Sequence, residues 1–249
     1  MTKNVNIMPM GGMGQRFIKY GYIDPKPLID INGKPMFVRS SKSLPKLNAW
    51  IFIVPIKFKK IKDFHVSLKK YFRKFKIIYL SKKTEGQAIT CLKANKFIEK
   101  NGLIFINSCD VFFEYNKNEL KKKISESDIV VFTSKTTNHH IKNPNSFGWV
   151  KTIGKNQIKI SCKKPLSRNL SKDRIIIGSF VFKNKNVFKN SVNAIVKNNK
   201  KINNEYYLDV VAAEANKLDL TVAEVKVKKI MSWGSHQELN LWKKVNEKI

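Results

Sequence analysis

Three short segments of this chain carry residue types that can do chemistry on phosphate. Gly11-Gly12-Met13-Gly14-Gln15-Arg16-Phe17 follows the apolar run Val5–Met10, so a glycine loop leaves the end of a first strand. Lacking Cβ atoms, such a loop lets backbone N–H groups come close to a phosphate. Arg16, and Lys26 within Asp24-Pro25-Lys26-Pro27-Leu28, supply positive charge to grip a triphosphate and to accompany a departing pyrophosphate. The loop is not GxGxxG with a downstream ribose-binding acid, nor Walker A, which needs Gly-Lys-Ser/Thr. Phe105-Ile106-Asn107-Ser108-Cys109-Asp110 puts a carboxylate where an apolar strand emerges, which is the ligand-binding edge of an open α/β sheet. Taken alone, an acid after a strand is ordinarily a turn residue or a helix cap. Lys83-Thr84-Glu85-Gly86-Gln87-Ala88 is a Gly-containing turn opening a helical pattern, with Thr84 a possible N-cap.

The elements that must position these residues follow from hydrophobic periodicity. Val5–Met10, Ala49–Pro55, Phe75–Leu80, Gly102–Asn107 and Asp128–Thr133 read as buried strands. An amphipathic helix around Phe64, Leu68 and Phe72 and another over Gln87–Glu99 lie between them. That alternation predicts βαβ units and a mostly parallel sheet. After about Asn138 the spacing tightens: Phe147–Thr152, Gln157–Cys162 and Arg174–Phe182 predict an antiparallel insert or lobe. Helices near Val187–Lys197 and Glu205–Lys217, a strand at Thr221–Val227 and a terminal helix from His236 follow. No repeats or Gly/Ser linker interrupt the chain, and one domain is the simplest account.

Composition narrows the classes. The 249 residues are 42% hydrophobic and 11% aromatic, enough for a real core. No apolar run approaches the roughly 18–20 residues of a membrane span, and the N-terminus has no signal-peptide layout; a soluble cytoplasmic protein is expected. Cys91, Cys109 and Cys162 stand apart from each other and from any His at metal-ligand spacing, so each reads as a buried small hydrophobe. The formal charge of +31 is spread along the chain rather than gathered on one segment, and it is carried mainly by Lys. That pattern resembles the codon bias of an AT-rich genome more than a nucleic-acid-binding stripe, and it still attracts anionic substrates. His139-His140 reads as a solvated loop pair, and His65 as helix packing.

The glycine loop, Arg16 and Asp24-Pro25-Lys26-Pro27-Leu28, with Asn32-Gly33-Lys34-Pro35-Met36 beyond, resemble the N-terminal signature of the sugar-phosphate nucleotidylyltransferases, the nucleoside-diphospho-sugar pyrophosphorylase-like enzymes, written loosely GGxGxR…PKPL…GKPM. The resemblance spans essentially the whole chain and is strongest over residues 5–40 and 84–110. It implies a single domain over 1–249: a Rossmann-like, GT-A-like parallel sheet flanked by helices, with residues 1–137 binding NTP and 138–249, including the small antiparallel lobe, binding an acceptor. It implies direct in-line attack of an acceptor phosphate oxygen on the α-phosphorus of an NTP, with Mg²⁺ as cofactor. Arg16 and Lys26 are then the catalytic cations. Met10, Gly11, Gly12, Gly14 and Ser108 bind the nucleotide, and Gly86 and Gln87 read the base. The GY…DPKPL and TEGQA variants are similar to members of capsule and surface-polysaccharide pathways. Nothing near Gly14 or Gly86 is dedicated to a purine, so CTP or UTP is favoured, with a sugar phosphate or small phosphorylated alcohol as acceptor.

The second half resembles the family less strictly. Lys163, Gly178 and Glu205 match acceptor-binding positions, but Cys162 stands where a Glu is usual. Asp110 matches the metal-binding Asp. Many members carry a second metal-binding Asp two residues before the glycine of Trp233-Gly234-Ser235-His236-Gln237-Glu238-Leu239, and here that position is Ser232. Either Asp209 takes the role or Asp110 and the nucleotide hold Mg²⁺ alone. These departures leave open a nucleotide-binding domain that has lost catalysis, and the charge leaves open a basic nucleic-acid-binding protein. The expected partners are an NTP and a phosphorylated acceptor, with no nucleic acid and no membrane; a homo-oligomer is compatible.

Overall fold

The structure is a computed structural model that describes residues 3–12, 14–47, 49–154 and 157–246; the side chains of Gln15, Arg16 and 244–246 lie outside that description. The first half runs β1 (Val5–Pro9), α1 (Gln15–Ile18), α2 (Met36–Ser41), β2 (Trp50–Pro55), α3 (Lys62–Tyr71), β3 (Phe75–Leu80), α4 (Gln87–Leu92), β4 (Ile104–Asn107), β5 (Val111–Glu114), α5 (Lys117–Glu126) and β6 (Ile129–Lys135). The second half adds α6 (Asn138–Lys142), β7 (Gly148–Thr152), β8 (Ile158–Cys162), β9 (Arg174–Phe182), α7 (Lys185–Lys197), α8 (Leu208–Ala213), β10 (Val222–Lys226), β11 (Lys229–Ser232) and α9 (His236–Asn246). Among the described residues no helix is long and apolar enough to cross a membrane.

The central sheet has the order β10-β6-β9-β4-β1-β2-β3, and every strand on that path except β9 runs the same way. Side chains alternate between two buried faces, which is why the strands read as continuous apolar runs. Ile7, Ile53 and Ile106 pack on one side with α4, α7 and α8, while Met8, Phe52 and Phe105 pack on the other with α2, α3 and α5. α7 buries Phe188, Ser191, Val192 and Ile195, a 3.6-residue stripe, and Asn184 caps it by accepting from Val187 N–H at 2.9 Å.

The expected α/β class is the one observed, with differences in detail. The antiparallel segment is not a separate lobe: β9 lies between β4 and β6 in the main sheet, and β7 and β8 extend from it. The run Ile175, Ile176, Ile177, Phe180, Val181 and Phe182 is buried throughout, which an interior strand requires. The helices expected over Gln87–Glu99 and Glu205–Lys217 are shorter α-helices, each followed by a 3₁₀ turn, Asn95–Phe97 and Ala215–Leu218. β5 and β11 form a separate two-stranded antiparallel sheet that the sequence reading missed.

A buried polar cluster holds the end of β4. Asn107 is fully buried; its Nδ2 donates to Ser40 O at 3.0 Å and to Ser40 Oγ at 2.9 Å, and its Oδ1 accepts from Ser179 Oγ. Ser40 Oγ in turn donates to Ser108 O. Asn107→Leu leaves partners on α2 and β9 unsatisfied, so a loss of roughly 3 kcal/mol is expected in a urea unfolding titration.

Candidate active site

The ends of β1 and β4 open into a cavity of about 780 Å³. This is the carboxyl edge of the sheet, where open α/β folds bind ligands. Met10, Gly12, Gly14, Lys26, Ser108 and Asp110 line it, and Glu205 lines it too. Met13 and the Arg16 side chain lie outside the described residues.

Lys26 is presented by a 3₁₀ turn, Lys26–Leu28, entered through Pro25 and held by Pro27 at its second position. Gly14 adopts φ +66°, and a Cβ there would sit 3.3 Å from Lys26 Cβ, so a side chain at this position would be strained and would crowd Lys26. Lys26 Nζ bonds to Asp110 Oδ2 and donates to Gly234 O at 3.0 Å. Ser108 Oγ donates to Asp110 Oδ1. Burial pulls the Lys26 pKa down, but the Asp110 carboxylate outweighs it and Lys26 is held above its ordinary value. For Asp110, burial pushes up and Lys26, with Ser108, wins in the opposite direction. Both groups are therefore charged at neutral pH.

The β5–β11 pair explains how the chain's end reaches this point. Its register sets Ser232 opposite Val111, and Trp233 N–H donates to Asp110 O at 2.8 Å. Phe17, Ile29, Ile31, Met36, Trp233 and Leu239 form a third small core that packs the start of α9 against the N-terminal loops.

On the opposite wall, Glu205 Oε1 meets Lys83 Nζ at 3.0 Å and its Oε2 accepts from Tyr207 O–H at 2.8 Å. Desolvation raises the Glu205 pKa, but the bonds from Lys83 and Tyr207 lower it further, so it is ionised. Lys163 is not among the cavity-lining residues; its Nζ lies 4.9 Å from the centre of the Tyr207 ring, whose hydroxyl in turn bonds to Glu205. Gly178 is also behind the lining: its carbonyl accepts from Ser108 N–H at 3.2 Å and so braces the loop carrying Asp110.

Several sequence readings need correction. His139 and His140 are not a solvated loop: they lie on α6, and His140 Nδ1 accepts from Thr137 N–H at 3.0 Å in a capping box. His140 is buried edge-on to Phe147, both line the cavity, and burial, helped by His139, pushes its pKa down to about 4, so it is neutral. The Thr-x-x-His spacing was the signal available for this. Thr84 is not the N-cap of α4; Gly86 is, and Thr84 Oγ1 donates to Gly86 O at 3.3 Å. Gly86 is buried against the Tyr206 backbone, and neither it nor Gln87 lines the cavity. Gly11 packs towards Leu80 and Thr90. Asp209 is also off the lining: its carboxylate lies against Gly148, and desolvation, partly offset by Lys163, pushes its pKa up to about 7. Cys162 is half-buried rather than buried. Cys109 lines the cavity, but burial pushes its thiol up to about 12, so it is no thiolate nucleophile. Lys83 and Glu238 are cavity residues the sequence reading did not single out.

No family model matches the chain, and no curated protein matches it. Solved structures do. The nucleoside-diphosphate-sugar pyrophosphorylase from Vibrio cholerae RC9 superposes with a TM-score of 0.78 at 19% identity, over 96% of this chain and 99% of that one. The inositol-1-phosphate CTP transferase from T. maritima gives 0.73 at 18% identity, over 99% and 95%. A UDP-glucose pyrophosphorylase from Acinetobacter baumanii gives 0.69 at 12% identity, over the full length of both chains. At these identities the likeness is one of fold, and the fold of this chain is that of the nucleotidyltransferases its glycine loop and PKPL segment resemble.

Proposed function

We propose that the chain is a nucleotidylyltransferase that transfers NMP from an NTP, CTP or UTP by preference, to a sugar phosphate or small phosphorylated alcohol in surface-polysaccharide precursor synthesis. The observation that carries this reading is a single cavity in which the glycine loop, Lys26 and Asp110 face the Lys83–Glu205 wall. A phosphate oxygen of the acceptor attacks the α-phosphorus, the bond to the bridging oxygen of the β-phosphate breaks, and pyrophosphate leaves. The nucleophile is already anionic, so no base is required.

The residues at Asp110 fit Mg²⁺: the donors are hard oxygens, and the carboxylate already carries an ammonium from Lys26. When bound there, Mg²⁺ neutralises phosphate charge as a Lewis acid. The chain's own part is positioning and charge. Backbone around Gly12 and Gly14 cradles the phosphates, and Lys26 and Arg16 balance the triphosphate and its leaving group. Lys83, with Lys163 behind it, supplies positive charge for the acceptor phosphate, and the ionised Glu205 accepts hydrogen bonds from acceptor hydroxyl groups.

A pyrophosphate-release screen tests this: CTP, UTP, dTTP, ATP and GTP against sugar phosphates and phospho-alcohols, with Mg²⁺. Release with one pair, abolished by EDTA and by Asp110→Ala, is the expected result. No release together with no NTP-induced thermal shift would sink the reading.

A further inference from the structure

A second carboxylate shares the space beside Gly234 with Asp110, from a position that the sequence pattern did not suggest. A Cβ placed on Gly234 would stand 3.1 Å from Glu238 Oε2 and 3.6 Å from both Asp110 Oδ2 and Ser232 Oγ. Three hard oxygens, from β11, from α9 and from the loop after β4, thus surround a niche that a side chain at 234 would fill. Lys26 Nζ binds at the same place, on Asp110 Oδ2 and Gly234 O. Glu238 lines the cavity, and its charge adds to the field that keeps Lys26 protonated.

Glu238 also has a local duty. Its N–H donates to Ser235 Oγ at 3.3 Å, and Ser235 Oγ donates to Glu238 Oε2 at 2.9 Å, a capping pair at the start of α9. That duty needs no charge, because Gln serves as well as Glu at the third position of a capping box. A carboxylate turned into a niche beside a second carboxylate is costly unless a cation is shared between them. Lys26 alone is one positive charge facing two negative ones.

We infer that Glu238 is the second carboxylate ligand of the divalent cation held at Asp110, doing from the first turn of α9 what an Asp at position 232 does in the enzymes this chain resembles. The inference rests on the nucleotidyl-transfer reading above and names the chain's own compensation for Ser232. Magnesium takes one or two carboxylates and leaves its other positions to water and substrate phosphate, and Ser232 Oγ remains beside the niche as a neutral donor. Asp209, packed against Gly148 and off the cavity lining, is not needed for this role.

The test is Mn²⁺ binding followed by electron paramagnetic resonance, with Mn²⁺ alone as probe. Wild type is compared with Asp110→Asn, Glu238→Gln and the double variant Glu238→Gln/Ser232→Asp. Glu238→Gln should weaken Mn²⁺ at least about tenfold while keeping the thermal midpoint measured in EDTA, since the cap survives. Adding Ser232→Asp should restore binding by supplying a carboxylate from β11, while the assignment of Glu238 itself stands on the loss in Glu238→Gln at an unchanged midpoint. Unchanged Mn²⁺ affinity in Glu238→Gln, with affinity lost in Asp110→Asn, overturns the assignment and leaves the proposed function standing. A lowered midpoint in EDTA with no rescue by Ser232→Asp overturns it in favour of capping alone. Wild-type protein that binds no Mn²⁺ also overturns it, and the pyrophosphate screen then judges the proposed function separately.

Discussion

Replacing Lys26 by alanine is expected to cut kcat/KM by about 10²–10³-fold and to destabilise the metal-free protein by about 3 kcal/mol. The two effects share one cause. Lys26 and Asp110 form a pair whose side chains are only 17% and 20% exposed. Truncating Lys26 leaves a carboxylate in low-dielectric surroundings with its main counter-charge gone, the costly half of breaking a buried pair. In the wild type, Asp110 is held below its ordinary pKa, so its contribution is full at neutral pH and is lost only as pH falls through that depressed value. In the variant burial is no longer outweighed, and the Asp110 pKa should rise above the ordinary carboxylate range. The stability deficit is then largest at neutral pH and shrinks as pH falls through the raised value, because the protonated acid tolerates burial. Mg²⁺ should raise the thermal midpoint of the variant more than that of wild type, since it supplies the charge Lys26 gave. Under the proposed function turnover should not recover with it, because a cation bound at Asp110 would not take the proposed place of Lys26 on the leaving pyrophosphate. Calorimetry with and without Mg²⁺, at two pH values, separates these effects. A variant with unchanged turnover would remove Lys26 from the charge-balancing machinery.

The parts of this molecule that were legible in sequence are those whose physics is local. β1, β2 and β4 are interior strands buried on both faces, so short and mostly apolar runs announce them, while β3, at the sheet edge, still shows Ile77–Leu80 as an apolar run despite its exposed Lys76. Lys26 and Asp110 were singled out through a family resemblance that short-range patterns carry, and the structure brings the two side chains into contact. β5 and β11 were not legible, because Val111–Glu114 and Lys229–Ser232 are four-residue strands that gain meaning only by pairing with each other across more than a hundred residues. The same long-range pairing brings Gly234 and Glu238 to Asp110. Glu238 was hidden in addition by an ordinary role as a helix cap. Asp209 was singled out from its place in the acceptor-like segment, and the packing of its carboxylate on Gly148 is a long-range contact that no local pattern announces. His140 was misread because adjacent histidines suggest a loop, whereas Thr137 starts a helix that turns the second one inward. Gly86 was legible as a glycine that matters, though the neighbour that makes it matter was not.

Gly86→Ala is expected to be among the most damaging single-methyl changes in the chain. Gly86 sits at φ 108° and ψ 177°, a region that is essentially glycine-only. A Cβ there would stand 2.5 Å from Tyr206 O and 2.6 Å from Tyr206 N, both backbone atoms that cannot rotate aside. Those same atoms clip the turn in place: Tyr206 N–H donates to Glu85 O at 2.7 Å, and Ala88 N–H donates to Tyr206 O at 3.0 Å. The methyl group therefore adds backbone strain and drives apart two hydrogen bonds, for a combined cost of about 3–5 kcal/mol. The clip also sets the spacing between Lys83, which precedes the turn, and Glu205, which precedes Tyr206, across their 3.0 Å bridge. Loosening it should raise the KM for the acceptor more than that for the nucleotide, because the glycine loop, Lys26 and Asp110 belong to the other wall of the cavity. Gln87→Ala is the control, since it alters the same turn without a new Cβ at 86. Urea unfolding together with KM for each substrate separates the two accounts of this glycine. If Gly86→Ala unfolds like wild type but loses nucleotide affinity, the residue reads the base; if it loses stability and acceptor KM together, glycine is required there because another backbone passes too close for anything larger.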